Sequence, residues 1–572
     1  VSLPALLRRS PTRPDAPERP DEGPAEGSAS RGDRRDRGRI RRVLAAGLTG
    51  AALLLVLVAL VAPNELGRLT PGAFVRVPLE GLLGAALLLA LPARARRVVA
   101  VPVGLVLGLL VVLKVLDMGF FMVFARPFDP IFDWTFLTAG VDFLTESVGR
   151  AGAVGTAIGA VALAVAVLVA MVLSVRRLTS VAGDHETAAS RTVAVLTVLW
   201  VLGAASGAQI VPGLPVAADS AATLAYDRTL QVRDGLRNQE AFAAGVRIDD
   251  FDQATGEQLL TGLRGKDVLF SFVESYGRVA VEHPQIAPRI DALLDDGTRR
   301  LRAAGYDSRS AFLTSPTAGG GSWLAHATLL SGMWTDNQFL YNDLVTSDRL
   351  TLNGAFQRAG WRTVIVMPAL TKAWPEGEFF DSDQIYGPEH LGYRGPKFGF
   401  APMPDQYTLA AFERLERSRA DRGPVMAEIA LVSSHAPWTP TAELVDWNAI
   451  GDGSIFGPMA KDDRSKDASW KKPAQVRGGY QRAIENSLAS LISYVETYGD
   501  EDLVLVFVGD HQPAPAITGE GADRDVPITI VARDPDVLDR ISGWGWQEGL
   551  NPDPQAPVWR MDTFRDMFLR AF

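Results

Sequence analysis

At 572 residues the chain is too long for one ordinary domain and large enough for a sizeable core. It has no Cys, which excludes disulfides, a thiolate nucleophile and Cys-ligated zinc. A net charge of −9 argues against nucleic acid as the main partner, and Arg is concentrated near the N-terminus and in short loops.

Residues 1–42 are rich in Pro, Arg, Asp, Glu and Gly, with few apolar residues after Leu7. Such a segment cannot bury enough surface to offset its ordering entropy, so it reads as a disordered tail. Its end, Arg31 to Arg42, holds seven Arg against two Asp. The apolar run that follows is too long for the h-region of a secretory signal. Five apolar stretches then come in succession, at about 43–62, 77–92, 98–120, 151–174 and 192–212. Each is near the ~20 residues a helix needs to cross a ~30 Å hydrocarbon core, the second being the shortest. Arg94, Arg96 and Arg97 lie between the second and third stretches, and Arg176, Arg177 and Arg191 between the fourth and fifth. If all five span, these clusters share a side with the Arg-rich tail. The positive-inside rule then makes the N-terminus cytoplasmic and everything after about residue 212 extracytoplasmic.

The segment 121–150 is dense in aromatics, among them Phe121, Phe124, Phe128, Phe132, Trp134, Phe136 and Phe143, and reads as lying at the headgroup level. Lys114 and Asp117, three residues apart near the outer end of the third span, read as a snorkelling structural pair, with an ion-pathway role as the alternative. Residues 213–265, with helical periodicity from Ala217 to Ala244, read as a connector. From Lys266 strands and helices alternate. Strands are expected at Val268–Glu274, Thr363–Met367, Val425–Val432, Leu503–Val508 and Val526–Val531, and helices at Ile286–Ala304 and Gly479–Tyr498. That alternation predicts an α/β domain over 266–572 with a mostly parallel central sheet.

Four pieces of this domain fall at strand ends or helix starts. Glu274 ends the first apolar strand, as a helix cap or a metal ligand. Ser322 follows three glycines and opens a helical pattern, where it can serve as N-cap or sit beside an anion held by the helix N-terminus. His435, one of only six His, lies just past a buried strand. Asp510 and His511 follow the apolar run from Leu503, and open α/β sheets carry their chemistry beyond the carboxyl ends of such strands. A divalent cation held by Glu274, Asp510 and His511 would leave a position for the Ser322 oxygen and activate that weak nucleophile. His435 could then bind a phosphoryl oxygen or protonate a leaving group. Mixed oxygen and imidazole donors suit Mn or Zn better than Ca, with Mg the further alternative.

The order FVESY, GGGSW–AH–TLLSG, SSHAPW and GDHQP resembles the sulfatase-like branch of the alkaline phosphatase superfamily. Five spans followed by an external domain look most like lipoteichoic acid synthases, and the resemblance covers roughly 43–535. It implies a single divalent metal, often manganese, and a Thr or Ser that becomes covalently phosphorylated. On this sequence it implies Glu274, Ser322, Asp510 and His511 for metal and nucleophile, and His435 for the phosphate. The headgroup-binding Trp-x-Arg of those synthases stands here as Trp374-Pro375-Glu376. Trp374 matches and Glu376 replaces the Arg, which speaks against glycerophosphate as the transferred group; Lys372 and Arg394 are candidates for the missing positive charge. With no Cys and no Ser-x-Pro-x-Arg around Ser322, sulfate-ester hydrolysis is not expected. The expected function is a membrane phosphotransferase that moves a phospho-headgroup from a phospholipid to an envelope glycan or lipid. The alternatives are an extracytoplasmic phosphodiesterase or phosphatase, and a non-catalytic envelope binding protein. Five short-looped spans give little material for a transporter.

Overall fold

The computed structural model describes residues 29–572 apart from 212–213, 216, 219, 439 and 461–472. Of the tail read as disordered, 1–28 lies outside the described residues. The Arg-rich remainder is already helical, as the start of α1 (Ala29–Val61). There follow α2 (Leu79–Ala90), α3 (Ala93–Phe124), α4 (Trp134–Asp184) and α5 (Glu186–Ser206), with Gly149 breaking the helical geometry inside α4.

Among the described residues four helices are long and apolar enough to cross a membrane: Arg39–Val61, Ala93–Phe124, Gly149–Asp184 and Glu186–Ser206. The second expected span is only the 12 residues of α2, because Pro78 and Pro92 bound it. At 1.5 Å per residue it covers about 18 Å, short of a ~30 Å core.

Side-chain contacts sort the ends of this bundle. Arg177 donates to Ala45 O and to Thr49 Oγ1 (3.0 Å), and Arg96 lies 3.7 Å from Glu186. The early part of α1, the α2–α3 turn and the α4–α5 turn thus share one end. At the other end Lys114 donates to the carbonyls of Ala59 (2.9 Å), Leu60 (3.3 Å) and Ala62 (2.7 Å), which caps the C-terminus of α1. Asp117 accepts from Asn64 Nδ2 (2.8 Å), Phe128 N (3.1 Å) and Arg228 (2.6 Å). Lys114 and Asp117 are therefore both structural, but each serves its own partners rather than the other. Arg228 belongs to α6 (Ser220–Val246), the helix of the connector, and Ala222 N at its start donates to Glu80 Oε1 (2.7 Å) at the start of α2.

The α/β domain is built on a nine-stranded sheet. Its strands are β1 (Asp267–Val273), β2 (Asp307–Thr314), β3 (Arg362–Val366), β4 (Gln384–Tyr386) and β5 (Val425–Leu431). The chain continues through β6 (Leu503–Gly509), β7 (Asp525–Ala532), β8 (Gln547–Glu548) and β9 (Val558–Arg560). The strand order is β8-β2-β7-β6-β1-β5-β3-β4, with β9 pairing to β2. From β6 to β4 all neighbours are parallel, whereas β7 runs antiparallel to both β6 and β2. The sheet is therefore mixed. A parallel return to β7 would need a crossover of a dozen or more residues that packs across a face, whereas Asp510–Arg524 forms only one short helix, Pro515–Thr518.

Strand β1 shows why these runs are apolar throughout. Val268, Phe270 and Phe272 enter one core, while Leu269 and Val273 enter the other. Helices cover both faces, so alternation with polar residues disappears. Full burial of each such side chain contributes roughly 1.5–3 kcal/mol. On the first face lies α7 (Ser322–Ser331), and on the second α8 (Pro473–Tyr498).

The described aromatics after α3 turn inward more than a headgroup belt would, with Trp134 alone exposed. Phe128, Phe132 and Phe136 are buried, and the cluster of Phe120, Phe124, Phe128 and Phe136 packs ring against ring. Phe136 stacks on Trp323 at 5.7 Å, and Phe132 meets Phe339 at 5.1 Å. The end of α3 thus docks on the α/β domain, and a Cβ on Gly319 (φ +71°) would overlap the Val123 carbonyl. Gly319→Ala is expected to destabilise this contact by about 1–3 kcal/mol, read as a lower thermal midpoint of the full-length protein. An unchanged midpoint would mean that α3 is not seated there.

Candidate active site

Three neighbouring parallel strands, β6, β1 and β5, end at one edge of the sheet. Glu274 follows β1, Asp510 and His511 follow β6, and His435 lies four residues beyond β5. The glycine loop before α7 reaches this edge through Gly319 N, which donates to Gln512 O (2.7 Å). The helix cap is Gly321, in left-handed geometry at φ +83°, and Ser322 makes no capping bond. Its hydroxyl donates instead to Glu274 Oε2 (3.0 Å) and lies 3.3 Å from His511 Nε2. The N-cap reading of Ser322 is thus replaced by a hydroxyl aimed at the cluster.

Glu274, Asp510 and His511 are buried, and one ligand atom from each lies within 4.8 Å of the others. His511 Nε2 is 3.5 Å from Glu274 Oε1 and 3.6 Å from Asp510 Oδ2. The surroundings orient each donor. His511 Nδ1–H donates to Gln512 O (2.9 Å), so Nε2 presents its lone pair to the cluster. Asp510 Oδ1 accepts from Ser275 N (2.8 Å) and His511 N (2.7 Å), which leaves Oδ2 turned inward. Burial works against ionisation of Glu274, but the His511 and His435 imidazoles and the Ser275 hydroxyl hold its carboxyl down at about 2. Burial, and then the Glu274 charge, push Asp510 up to about 6. Burial opposes the charged form of His511, and the two carboxylates outweigh it and raise its pKa. Two buried carboxylates that repel each other beside an oriented imidazole form a donor set that fits one divalent cation.

Glu274, Ser322 and Asp510 open onto a cavity of about 500 Å³, lined also by His435 and Trp374. The His435 ring stacks on Phe400 at 3.7 Å, and its Nδ1–H donates to Ala436 O (2.6 Å). Trp374 donates to Tyr341 Oη (3.2 Å). Glu274, Ser322, Trp374, His435 and Asp510 therefore border one space, and His511 joins them through the cluster without lining it. Lys372 and Arg394 are exposed and do not line it, so neither supplies the positive charge sought for them.

Further residues complete the site. His326, in α7, both borders the site and packs against the sheet. It lines the cavity, stacks on Phe272 at 3.7 Å, and its Nδ1–H donates to Glu428 Oε1 (2.9 Å). Glu428 was missed, although a lone carboxylate within the otherwise apolar VMAEIAL of β5 was a readable signal. Asp405 is the first residue of its helix, after the cap Pro404. Burial raises its pKa, and its carboxylate accepts from Ser433 N (2.9 Å) and Ser487 Oγ (2.6 Å), which fastens the loop bearing His435 to α8. Trp438 is core, buried against Tyr480.

No family model matches the chain, and no curated protein matches it. Among solved structures the chain is similar to the lipoteichoic acid synthase LtaP from Listeria monocytogenes, at 16% identity over 52% of this chain and 71% of that one, with a TM-score of 0.34. It is similar to the Streptococcus pyogenes phosphoglycerol transferase GacH in complex with sn-glycerol-1-phosphate, at 12% identity over 58% and 79%, with a TM-score of 0.35. A third is the soluble domain of the lipooligosaccharide phosphoethanolamine transferase A from Neisseria meningitidis, at 13% identity over 52% and 86%, with a TM-score of 0.33.

Proposed function

We propose that this chain is a membrane-anchored, metal-dependent phosphotransferase of the sulfatase-like branch of the alkaline phosphatase superfamily. The observation that carries the reading is the Ser322 hydroxyl, held at 3.0 Å from Glu274 and 3.3 Å from His511 at the start of a helix. Glu274, Asp510 and His511 would hold the cation, for which manganese is the leading identity. When bound, a divalent cation supplies Lewis acidity that lowers the hydroxyl pKa and offsets phosphoryl charge.

The side chains account for the remaining requirements. The N-terminus of α7, with its aligned peptide dipoles, favours a phosphoryl anion beside Ser322. Ser322 Oγ attacks the phosphorus of a membrane phosphodiester, its hydroxyl proton passes to solvent, a P–Oγ bond forms, and the P–O bond to the lipid alcohol breaks. His435, with Nδ1–H committed to Ala436 O, would act in its doubly protonated form, giving its Nε2 proton to the leaving oxygen and taking one back from the acceptor hydroxyl in the second step. An acceptor hydroxyl on an envelope glycan or lipid then displaces Ser322. Phosphoryl transfer depends chiefly on such positioning and charge neutralisation.

The topology we propose has a cytoplasmic N-terminus and an extracytoplasmic catalytic domain. It is supported by Arg96 and Arg177 gathering at one end of the bundle, and by α2 running from beside Ala222 at the other end back to that one. The docking of α3 on the glycine loop keeps the site near the headgroups.

Mass spectrometry of the purified protein after incubation with membrane phospholipids, with metal analysis on the same sample, tests the function. The expected result is a phosphate-bearing adduct on Ser322 with about one divalent metal per chain. The adduct mass would identify the transferred group. Neither metal nor adduct would reject the enzyme in favour of a binding protein.

A further inference from the structure

Among the described residues no Lys or Arg lines the cavity beside Ser322. The charged side chains it does contain, apart from histidines, are carboxylates: Glu274 and Asp510 at the cluster, and Glu376 away from it. Among the described residues Glu376 has neither a hydrogen-bond nor an ion-pair partner, although it is half-buried. Around it the cavity wall is aromatic, with Trp323, Tyr341, Trp374 and Phe400. Burial pushes the Tyr341 phenol up to about 12; the hydrogen bond from Trp374 works against this, and the Glu376 charge adds to it. The rest of the wall includes the apolar Met367 and Leu370.

This combination selects a chemistry. An anionic head would meet the Glu376 charge with no cation to offset it, and a polyol head could bond Glu376 and Gln338 but would gain nothing from the ring faces. A positively charged ammonium group gains from both features, because ring faces attract cations and the unpaired carboxylate supplies a counter-charge. We infer that the transferred group carries a cationic ammonium head, received by Glu376 within the Trp374–Tyr341–Phe400 wall. This rests on the proposed phosphotransferase reading and adds the class of headgroup. A primary and a quaternary ammonium share the recognition, and the test separates them.

The experiment uses the full-length protein in detergent micelles with manganese and four p-nitrophenyl phosphodiesters, whose second alcohols are choline, ethanolamine, glycerol and 3,3-dimethylbutanol. The last is the neutral carbon isostere of choline. In each, Ser322 Oγ bonds to phosphorus, the aryl P–O bond breaks, p-nitrophenolate leaves, and the hydroxyl proton passes to solvent. Water then attacks phosphorus, the P–Oγ bond breaks, and the serine recovers its proton. The readout is kcat/KM for p-nitrophenolate release in the wild type and in Glu376→Gln.

The expected result is a preference of about tenfold or more for the choline or the ethanolamine diester over both neutral ones. Whichever of the two leads names the quaternary or primary head. That preference should collapse in Glu376→Gln, and because a ratio is measured, partial loss of folded protein does not alter it. Equal rates on all four diesters, or a lead for the glycerol ester, would overturn the inference while leaving Ser322 as nucleophile. A cationic preference that survives Glu376→Gln would also overturn it. No release from any diester, with no adduct on Ser322, would instead reject the phosphotransferase reading and the inference with it.

Discussion

Replacing Ser322 with Ala is expected to lower turnover of a lipid phosphodiester by at least about a thousandfold and to abolish the phosphate adduct. The size of the effect follows from the position of the hydroxyl. It is the one group that opens α7 and also touches both Glu274 and His511, so no neighbour can take its place at the same point. Ala keeps the helix start, because the cap is Gly321 and Ser322 contributes no capping bond. The thermal midpoint should therefore stay within about 1 kcal/mol of wild type, which separates lost chemistry from lost folding. Ser322→Thr offers a second check, since its hydroxyl can form the same phosphoester and should recover part of the rate. Full activity in the Ala variant would reject Ser322 as nucleophile.

The residues that could be read from the sequence share a physical reason. Glu274, Asp510 and His511 stand where fully apolar strands stop, and such strands must be buried on both faces, which fixes their ends at a sheet edge. Ser322 was readable because three glycines precede a helical pattern. The role of those glycines was only half visible. Gly319 was expected to let backbone approach an anion, and it also gives room for the Val123 carbonyl, a contact between residues nearly 200 apart that no local pattern encodes.

Other features were hidden for similar reasons. Strand β2, DSRSAFLT, begins with polar residues and lacks a continuous apolar run, so it is absent from the expected strands. The antiparallel course of β7 depends on how the preceding connection packs, while its own sequence looks like any buried strand. Burial of Phe128, Phe132 and Phe136 could not be told from a membrane belt, because both environments favour the same side chains. Asp405 shows the limit most clearly. It sits where a cap would be expected, yet its bonds go to Ser433 and Ser487, and only the folded chain brings those together.

Asp510→Asn is expected to remove the metal-dependent part of the protein's stability while sparing the rest. In the wild type, saturating manganese should raise the stability by about 3 kcal/mol at a hundredfold excess over Kd, and a chelator should reverse the gain. The substitution takes one anionic donor from a three-residue set, so the increment should vanish together with stoichiometric metal binding. The sign in chelator is the telling part. An Asn oxygen can still accept the bonds from Ser275 N and His511 N, and the repulsion with the Glu274 charge disappears. Chelated Asp510→Asn should thus be as stable as chelated wild type or more so. A merely structural aspartate would behave in the opposite way, losing stability in chelator and retaining the response to manganese. Calorimetry of both proteins, with and without the metal, distinguishes a carboxylate kept for cation binding from one kept for the fold.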